Sequence, residues 1–76
     1  MGTDEERDIE KEVGRMYFAS TLRRIAEAIE NNAPIRIQVA GQRLVVPVDA
    51  QMNIAHEFEE GTHELEFEFV WSNTDA

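Results

Sequence analysis

The stretch THELEFEFVWSN, residues 62–73, alternates acidic and apolar side chains and ends in a tryptophan. One parity carries glutamates and the other carries Leu65, Phe67, Phe69 and Trp71. A period of two is typical of a β-strand with one buried and one solvated face. The pattern therefore predicts a strand whose apolar face packs on a core, with Trp71 closing the end of that core. The alternative is that Trp71 anchors a partner, since aromatic residues are favoured at interfaces.

The residues before this strand complete a hairpin, predicted for residues 52–71. A two-residue loop at Glu60-Gly61 suits a tight hairpin turn. It pairs residues as Phe58–His63, His56–Leu65, Ile54–Phe67 and Met52–Phe69, which gathers the large apolar side chains on one face. The same register sets Glu57 opposite Glu64, and this like-charge pair is unfavourable in dilute buffer.

A first hairpin is predicted for residues 34–48 by the same test. With Ala40-Gly41 as the loop, Ile37 faces Leu44 and Ile35 faces Val46, so the apolar residues again share a face. Pro47 has no backbone donor for a ladder hydrogen bond and marks a strand end or an unpaired position.

One amphipathic helix is predicted for residues 15–32. Its apolar residues follow helical spacing and are Phe18, Leu22, Ile25, Ala26 and Ile29. Asn31-Asn32 supplies a C-cap, because asparagine tolerates the left-handed conformation. Pro34 then prevents the helix from continuing and makes Ala33 extended.

The N-terminal apolar residues Ile9, Val13 and Met16 do not join this helical stripe. In a continuous helix they would lie on the opposite side, and Gly14 at the break is a poor helix-interior residue. Residues 8–14 are therefore predicted to form a short strand or an arm. The alternative is a long helix whose N-terminal half meets a second chain. Ile9, Val13 and Met16 are therefore candidates for an interface.

The fold class that follows is α+β, with one main helix packed on an antiparallel four-stranded β-meander as a two-layer sandwich. Residues 1–76 form a single domain. A chain of 76 residues buries little core, so oligomerisation is an expected supplement.

The charge balance predicts a salt-rich environment. There are 16 acidic and 7 basic residues, Lys11 is the single lysine, and the net charge is −9. Self-repulsion of this size opposes folding in dilute buffer and is screened in molar salt. The alternative is an acidic protein from a mesophile, without adaptation to high salt. Nucleic acid is disfavoured as a partner, since phosphate contacts need clustered basic residues. No apolar run is long enough for a membrane span, and the acidic N-terminus has no signal core, so a cytoplasmic protein is expected.

Four stretches together resemble the amphi-Trp domain family. They are LRRIAEAIENN after residue 21, VPV at residues 46–48, the strand NIAHEFEE and the terminal LEFEFVW. The resemblance covers roughly residues 18–71. It implies this helix-and-hairpin fold and, because the family is common in salt-loving archaea, a saline habitat. It implies no activity and no catalytic or binding residue.

The chain offers few candidates for chemistry. His56 and His63 are diagonal neighbours on the apolar face, but zinc sites take three or four ligands, so two histidines at the rim of the core are favoured over a metal site. The outer glutamates are interpreted as a hydrated acidic surface. No cysteine, phosphate-binding loop or nucleophile motif is present, and neither catalysis nor a cofactor is predicted.

Two classes of function are consistent with these features. The first is a halophilic protein-interaction or accessory module without catalytic activity. It would assemble as a homodimer, and an unidentified protein is a second possible partner. The second is a small-ligand or metal-binding domain that uses the His56/His63 end or the cleft between helix and sheet. A monomer with a pocket would favour the second class.

Overall fold

The computed structural model describes residues 7–73, in which one helix is followed by four strands. The helix α1 spans Arg15–Glu30. The strands are β1 at Ile35–Val39, β2 at Gln42–Val46, β3 at Gln51–Glu59 and β4 at Thr62–Val70. This content confirms the predicted α+β class.

Helix α1 ends in the asparagine cap that the sequence predicts. Asn32 adopts the left-handed conformation with φ 56°. Its N–H donates to the Ile29 carbonyl at 3.1 Å, and the Ala33 N–H donates to the Ala28 carbonyl at 2.9 Å. These two bonds form a Schellman motif, which satisfies carbonyls that the helix would leave unpaired. The last helical residue is therefore Glu30, and Asn31-Asn32 form the cap.

Both hairpins have the predicted register. Ile35 pairs with Val46 and Ile37 with Leu44 in the first, and Ile54 pairs with Phe67 in the second. The two loops, Ala40-Gly41 and Glu60-Gly61, have positive φ at both residues. That is the type I′ turn, whose twist matches the twist of the flanking strands. The alternating pattern and the turn thus select the same pairing.

The strands do not join into the expected four-stranded meander. Within residues 7–73, β1 pairs only with β2 and β3 only with β4, which gives two separate two-stranded sheets. The connection explains the separation: Pro47 lacks a donor, and its carbonyl accepts the Ala50 N–H at 3.1 Å in a turn. This turn redirects the chain before β3 can pair with β2.

Residues 7–14 form an arm with neither helix nor strand. The Arg7 guanidinium donates to the Val39 carbonyl at 2.6 Å, which places the start of this arm at the end of β1. Of the alternatives for this segment, the structure shows the arm. Neither a fifth strand nor a longer helix is formed there.

The core is small and lies between the C-terminal half of α1 and the first hairpin. Ile35, Val46 and Ala50 are buried among the described residues. Four partly buried residues pack against them: Ile25, Ala28, Phe69 and Trp71. The β3–β4 hairpin, called the ribbon below, reaches this core only at its base. The radius of gyration is 14.5 Å, whereas a compact domain of this length has about 11 Å.

Candidate functional site

The ribbon has an apolar face that its own chain leaves uncovered, called the open face below. Its principal side chains are exposed to 71% at Ile54, 60% at Phe58, 66% at Leu65 and 64% at Phe67. The remaining members of the face are Met52, His56, His63 and Phe69. Clusters of large exposed apolar side chains mark interaction surfaces, since monomers rarely expose them together.

The register and the strand lengths produce this surface. Each ribbon strand has nine residues, whereas β1 and β2 have five each. At about 3.4 Å per residue the ribbon extends about 30 Å, well past the first hairpin. Only the base near Phe69 and Trp71 meets the core. The strict alternation then places every large apolar side chain of the protruding part on one side.

Helix α1 carries a second uncovered apolar surface. Its stripe begins at Phe18 and Leu22, which are 58% and 44% exposed. Farther along the same stripe, Ile25 packs against the core. Among the strands, the helix packs mainly on β1. The N-terminal half of the stripe is therefore only partly covered by the described part of the chain: Phe18 lies beside the arm and β1, and both Phe18 and Leu22 remain exposed.

His56 and His63 lie together on the open face. His56 Nε2 and His63 Nδ1 are 2.9 Å apart and form a hydrogen bond, in which one ring N–H donates to the other ring nitrogen. The rings are parallel within 6° with centroids 5.1 Å apart, so they meet through their edges at this hydrogen bond. The His63 ring also lies 4.5 Å from the Phe58 ring, centroid to centroid. The pair and Phe58 thus form one contiguous group on the open face.

A metal site at the histidine pair would need further ligands. Among residues 7–73 there is no group of three or more histidine, aspartate or glutamate side chains that could hold a metal ion. The hydrogen bond also occupies the two nitrogens that face each other. Two imidazoles fall short of the three or four ligands of a zinc site.

A separate cleft lies between the arm, the start of α1 and β1. It has a volume of about 400 Å³ and is lined mainly by apolar and aromatic side chains, among them Val13, Tyr17, Phe18, Ile37 and Val39. Small-ligand sites in proteins begin at about this size. This is the cleft between helix and sheet that the sequence suggested for a ligand.

The remaining interface candidates lie at different places. Ile9 and Val13 are exposed on the arm, and Met16 is exposed in the first turn of α1. They do not form one helical face, because the helix begins only at Arg15. Trp71 follows directly after β4 and packs against the core while remaining partly exposed.

The opposite face of the ribbon is acidic. Glu57 lies directly across from Glu64, and Glu66 and Glu68 follow on the same strand face. The Asn53 side-chain amide donates a hydrogen bond from Nδ2 to Oε1 of Glu68 at 3.2 Å. The ribbon thus separates an acidic, solvated face from the apolar open face, as its alternating sequence predicts.

Together these features define a small α+β domain with an amphipathic, protruding two-stranded ribbon that ends in a tryptophan. The family model of the Amphi-Trp domain matches residues 1–76, the whole chain, and the chain belongs to this family. Comparisons with curated proteins and with solved structures found no match. Among residues 7–73, no helix is long and apolar enough to cross a membrane.

The alternating pattern predicts that the apolar face of the ribbon packs on the core, and the structure corrects this, since the face is exposed. The functional candidates that the pattern does not reveal are Ile54, Phe58, Leu65 and Phe67. The available signal was length: a 16-residue helix covers about 24 Å and must also cover the first hairpin. A helix that packs on the first hairpin leaves the far part of a ribbon of about 30 Å exposed.

Proposed function

We propose that this protein is a non-catalytic protein-interaction module that works as a homodimer in a salt-rich cytoplasm. The observation that carries the proposal is the open face of the ribbon, with four large apolar side chains each at least 60% exposed. A protein partner that covers this face would remove those side chains from water. The module would then act by binding another protein molecule and not by catalysing a reaction.

The energetics favour a covered face. Burying a large apolar side chain contributes about 1.5–3 kcal/mol. Fixing the backbone of each residue costs about 1–2 kcal/mol, and the described residues include only three buried hydrophobic residues. A ribbon that protrudes from so small a core gains little stability from its own chain. Assembly with a second molecule supplies the missing burial, as it does for many small domains.

The charge of −9 supports the salt-rich compartment and narrows the partners. Molar salt shortens the Debye length to about 3 Å, which screens the acidic surface. The same salt strengthens apolar association and weakens phosphate contacts. A protein partner that offers apolar surface therefore fits this chain better than a nucleic acid does.

A second candidate function is the binding of a small ligand in the cleft at the start of α1. The favouring observation is its volume of about 400 Å³ and its aromatic lining by Tyr17 and Phe18. Such a function does not require assembly. A monomeric protein in high salt would leave this candidate as the better one.

Light scattering in molar KCl tests the homodimer at micromolar concentration. The full chain is expected to have twice the monomer mass, and Phe67→Asp is expected to shift it to the monomer because it places a carboxylate on the open face. Glu66→Asp on the acidic face of the same strand is the matched control and should remain dimeric. Circular dichroism checks that the variants are folded. A monomeric mass for the unmodified chain contradicts the proposal.

A further inference from the structure

We propose that a second copy of the chain covers the open face reciprocally, with the ribbon of each copy lying across the N-terminal half of its partner's α1. This inference rests on the proposed homodimer and names the surfaces that meet in it. Each copy would offer both surfaces once, and each surface would be covered by the other kind. The open face and the uncovered part of the helical stripe would then disappear together.

The chain carries two apolar surfaces that do not meet within one molecule. The C-terminal half of α1 is already used, since Ile25 and Ala28 pack against the core. The base of the ribbon is fixed at the same core through Phe69 and Trp71. With both elements held there, the tip of the ribbon and the start of the helix do not meet each other, and both keep exposed apolar side chains.

The two surfaces match in kind and in size. The helix offers Phe18 and Leu22 in line with Ile25, and an apolar helical stripe is the usual cover for an apolar sheet face. The exposed part of the open face, from Ile54 to Phe58, is about 14 Å long, and the N-terminal half of the helix is about 12 Å long. The start of the helix, laid on the tip of the ribbon, would therefore cover most of this exposed part.

The exposed area corresponds to what a stable dimer needs. A large aromatic side chain presents roughly 150–250 Å², so the exposed fractions on the open face leave on the order of 600 Å² there. With the exposed residues of the helical stripe added, each copy approaches the roughly 800 Å² per partner of a standard interface. A two-fold arrangement uses both surfaces of both copies and closes at two molecules.

Packing of ribbon against ribbon is the main competing arrangement. It would cover the open faces of both copies but would leave Phe18 and Leu22 in water. The reciprocal arrangement covers both kinds of surface in one assembly. The uncovered half of the helix therefore favours exchange between helix and ribbon over contact between two ribbons.

Cysteine crosslinking tests the arrangement directly, because the chain contains no cysteine. A Leu22→Cys chain and a mass-tagged Leu65→Cys chain are mixed, refolded together and treated with a short bis-maleimide in molar KCl. This reagent does not demand the narrow geometry of a disulfide. The expected result is a shift to the mass of the mixed dimer on a denaturing gel. Pairing Leu22→Cys with Glu64→Cys, on the acidic face, is the matched control and should give little product.

The other outcomes separate the possible failures. Crosslinking of Leu65→Cys with itself, without the mixed product, would show ribbons packed face to face and would overturn the exchange while keeping the homodimer. An intramolecular product from the double variant Leu22→Cys/Leu65→Cys, at monomer mass, would show the ribbon folded onto its own helix and would also overturn it. Dimeric variants that give no crosslinked product overturn it equally. A monomeric unmodified chain refutes the proposed function itself.

Discussion

The Trp71 side chain connects the ribbon to the first hairpin through packing contacts. It follows the last residue of β4 and packs against the cluster of Ile35, Val46 and Ala50, which joins the base of the ribbon to the first hairpin. Since β2 and β3 share no ladder hydrogen bonds, these side-chain contacts replace the missing pairing between the two sheets. The contacts support core closure as the primary role of Trp71.

Replacing Trp71 is therefore expected to separate the two hairpins. Trp71→Ala should lower the free energy of unfolding by about 3 kcal/mol, the low end for a buried aromatic residue, because the indole is partly exposed. Denaturant titration in molar KCl measures the loss, and Trp71→Phe, which keeps a ring, should lose less. A Trp71→Ala protein of unchanged stability that no longer dimerised would make the indole an interface anchor instead.

At the residue scale the sequence predicted positions better than environments. The diagonal relation of His56 and His63 follows from the hairpin register alone, and the structure joins them by a hydrogen bond. The exposure of Phe67 could not be predicted in the same way. An alternating pattern shows which face is apolar, but whether that face is covered depends on an element elsewhere in the chain or in another molecule.

The ribbon is the element in which charge and register conflict. Glu57 lies opposite Glu64 in the observed pairing, and like charges at directly opposed positions destabilise a strand pair. The register persists because a slip by one residue would send the whole apolar set to the other side. The apolar face thus fixes a pairing that the acidic face opposes.

Reversing one of these charges should therefore stabilise the ribbon, and more so in dilute buffer. Glu57→Lys is expected to raise the free energy of unfolding by about 0.5–1 kcal/mol at low salt, and by less in molar KCl because screening removes the original repulsion. Thermal unfolding at both salt concentrations measures the difference. Glu10→Lys on the exposed arm changes the net charge equally and is the control. An equal gain from both variants would show that net charge, and not the cross-strand pair, is responsible.

The hairpins could be predicted from the sequence because their signals are local. The period of two and the glycine-containing turns at Ala40-Gly41 and Glu60-Gly61 specify each register within about 20 residues. The relation between the hairpins is not local. It depends on the turn from Pro47 to Ala50 and on which apolar faces pack in the core. The prediction of a four-stranded meander was wrong for this reason, since the hairpins form two separate sheets.

At the scale of the whole molecule, a small core and a long ribbon make stability depend on the surroundings. The described residues contain three buried hydrophobic side chains, whereas the chain carries a net charge of −9. Self-repulsion acts against the compact state over the whole surface. The stabilisation from this small core must exceed the charge repulsion, and the salt concentration of the solvent determines how large that repulsion is.

The midpoint of thermal unfolding should therefore rise from dilute buffer to molar KCl. A rise of at least about 5 °C is expected, which corresponds to roughly 1 kcal/mol in a domain of this size. Two effects contribute: salt screens the acidic surface, and it strengthens apolar burial to a lesser degree.

A charge-balanced variant separates these two effects. Changing Glu10, Glu12 and Glu59 to lysine moves the net charge from −9 to −3 at exposed positions. This variant should lose much of the salt dependence. A midpoint insensitive to KCl in the unmodified chain would refute the proposed adaptation to high salt.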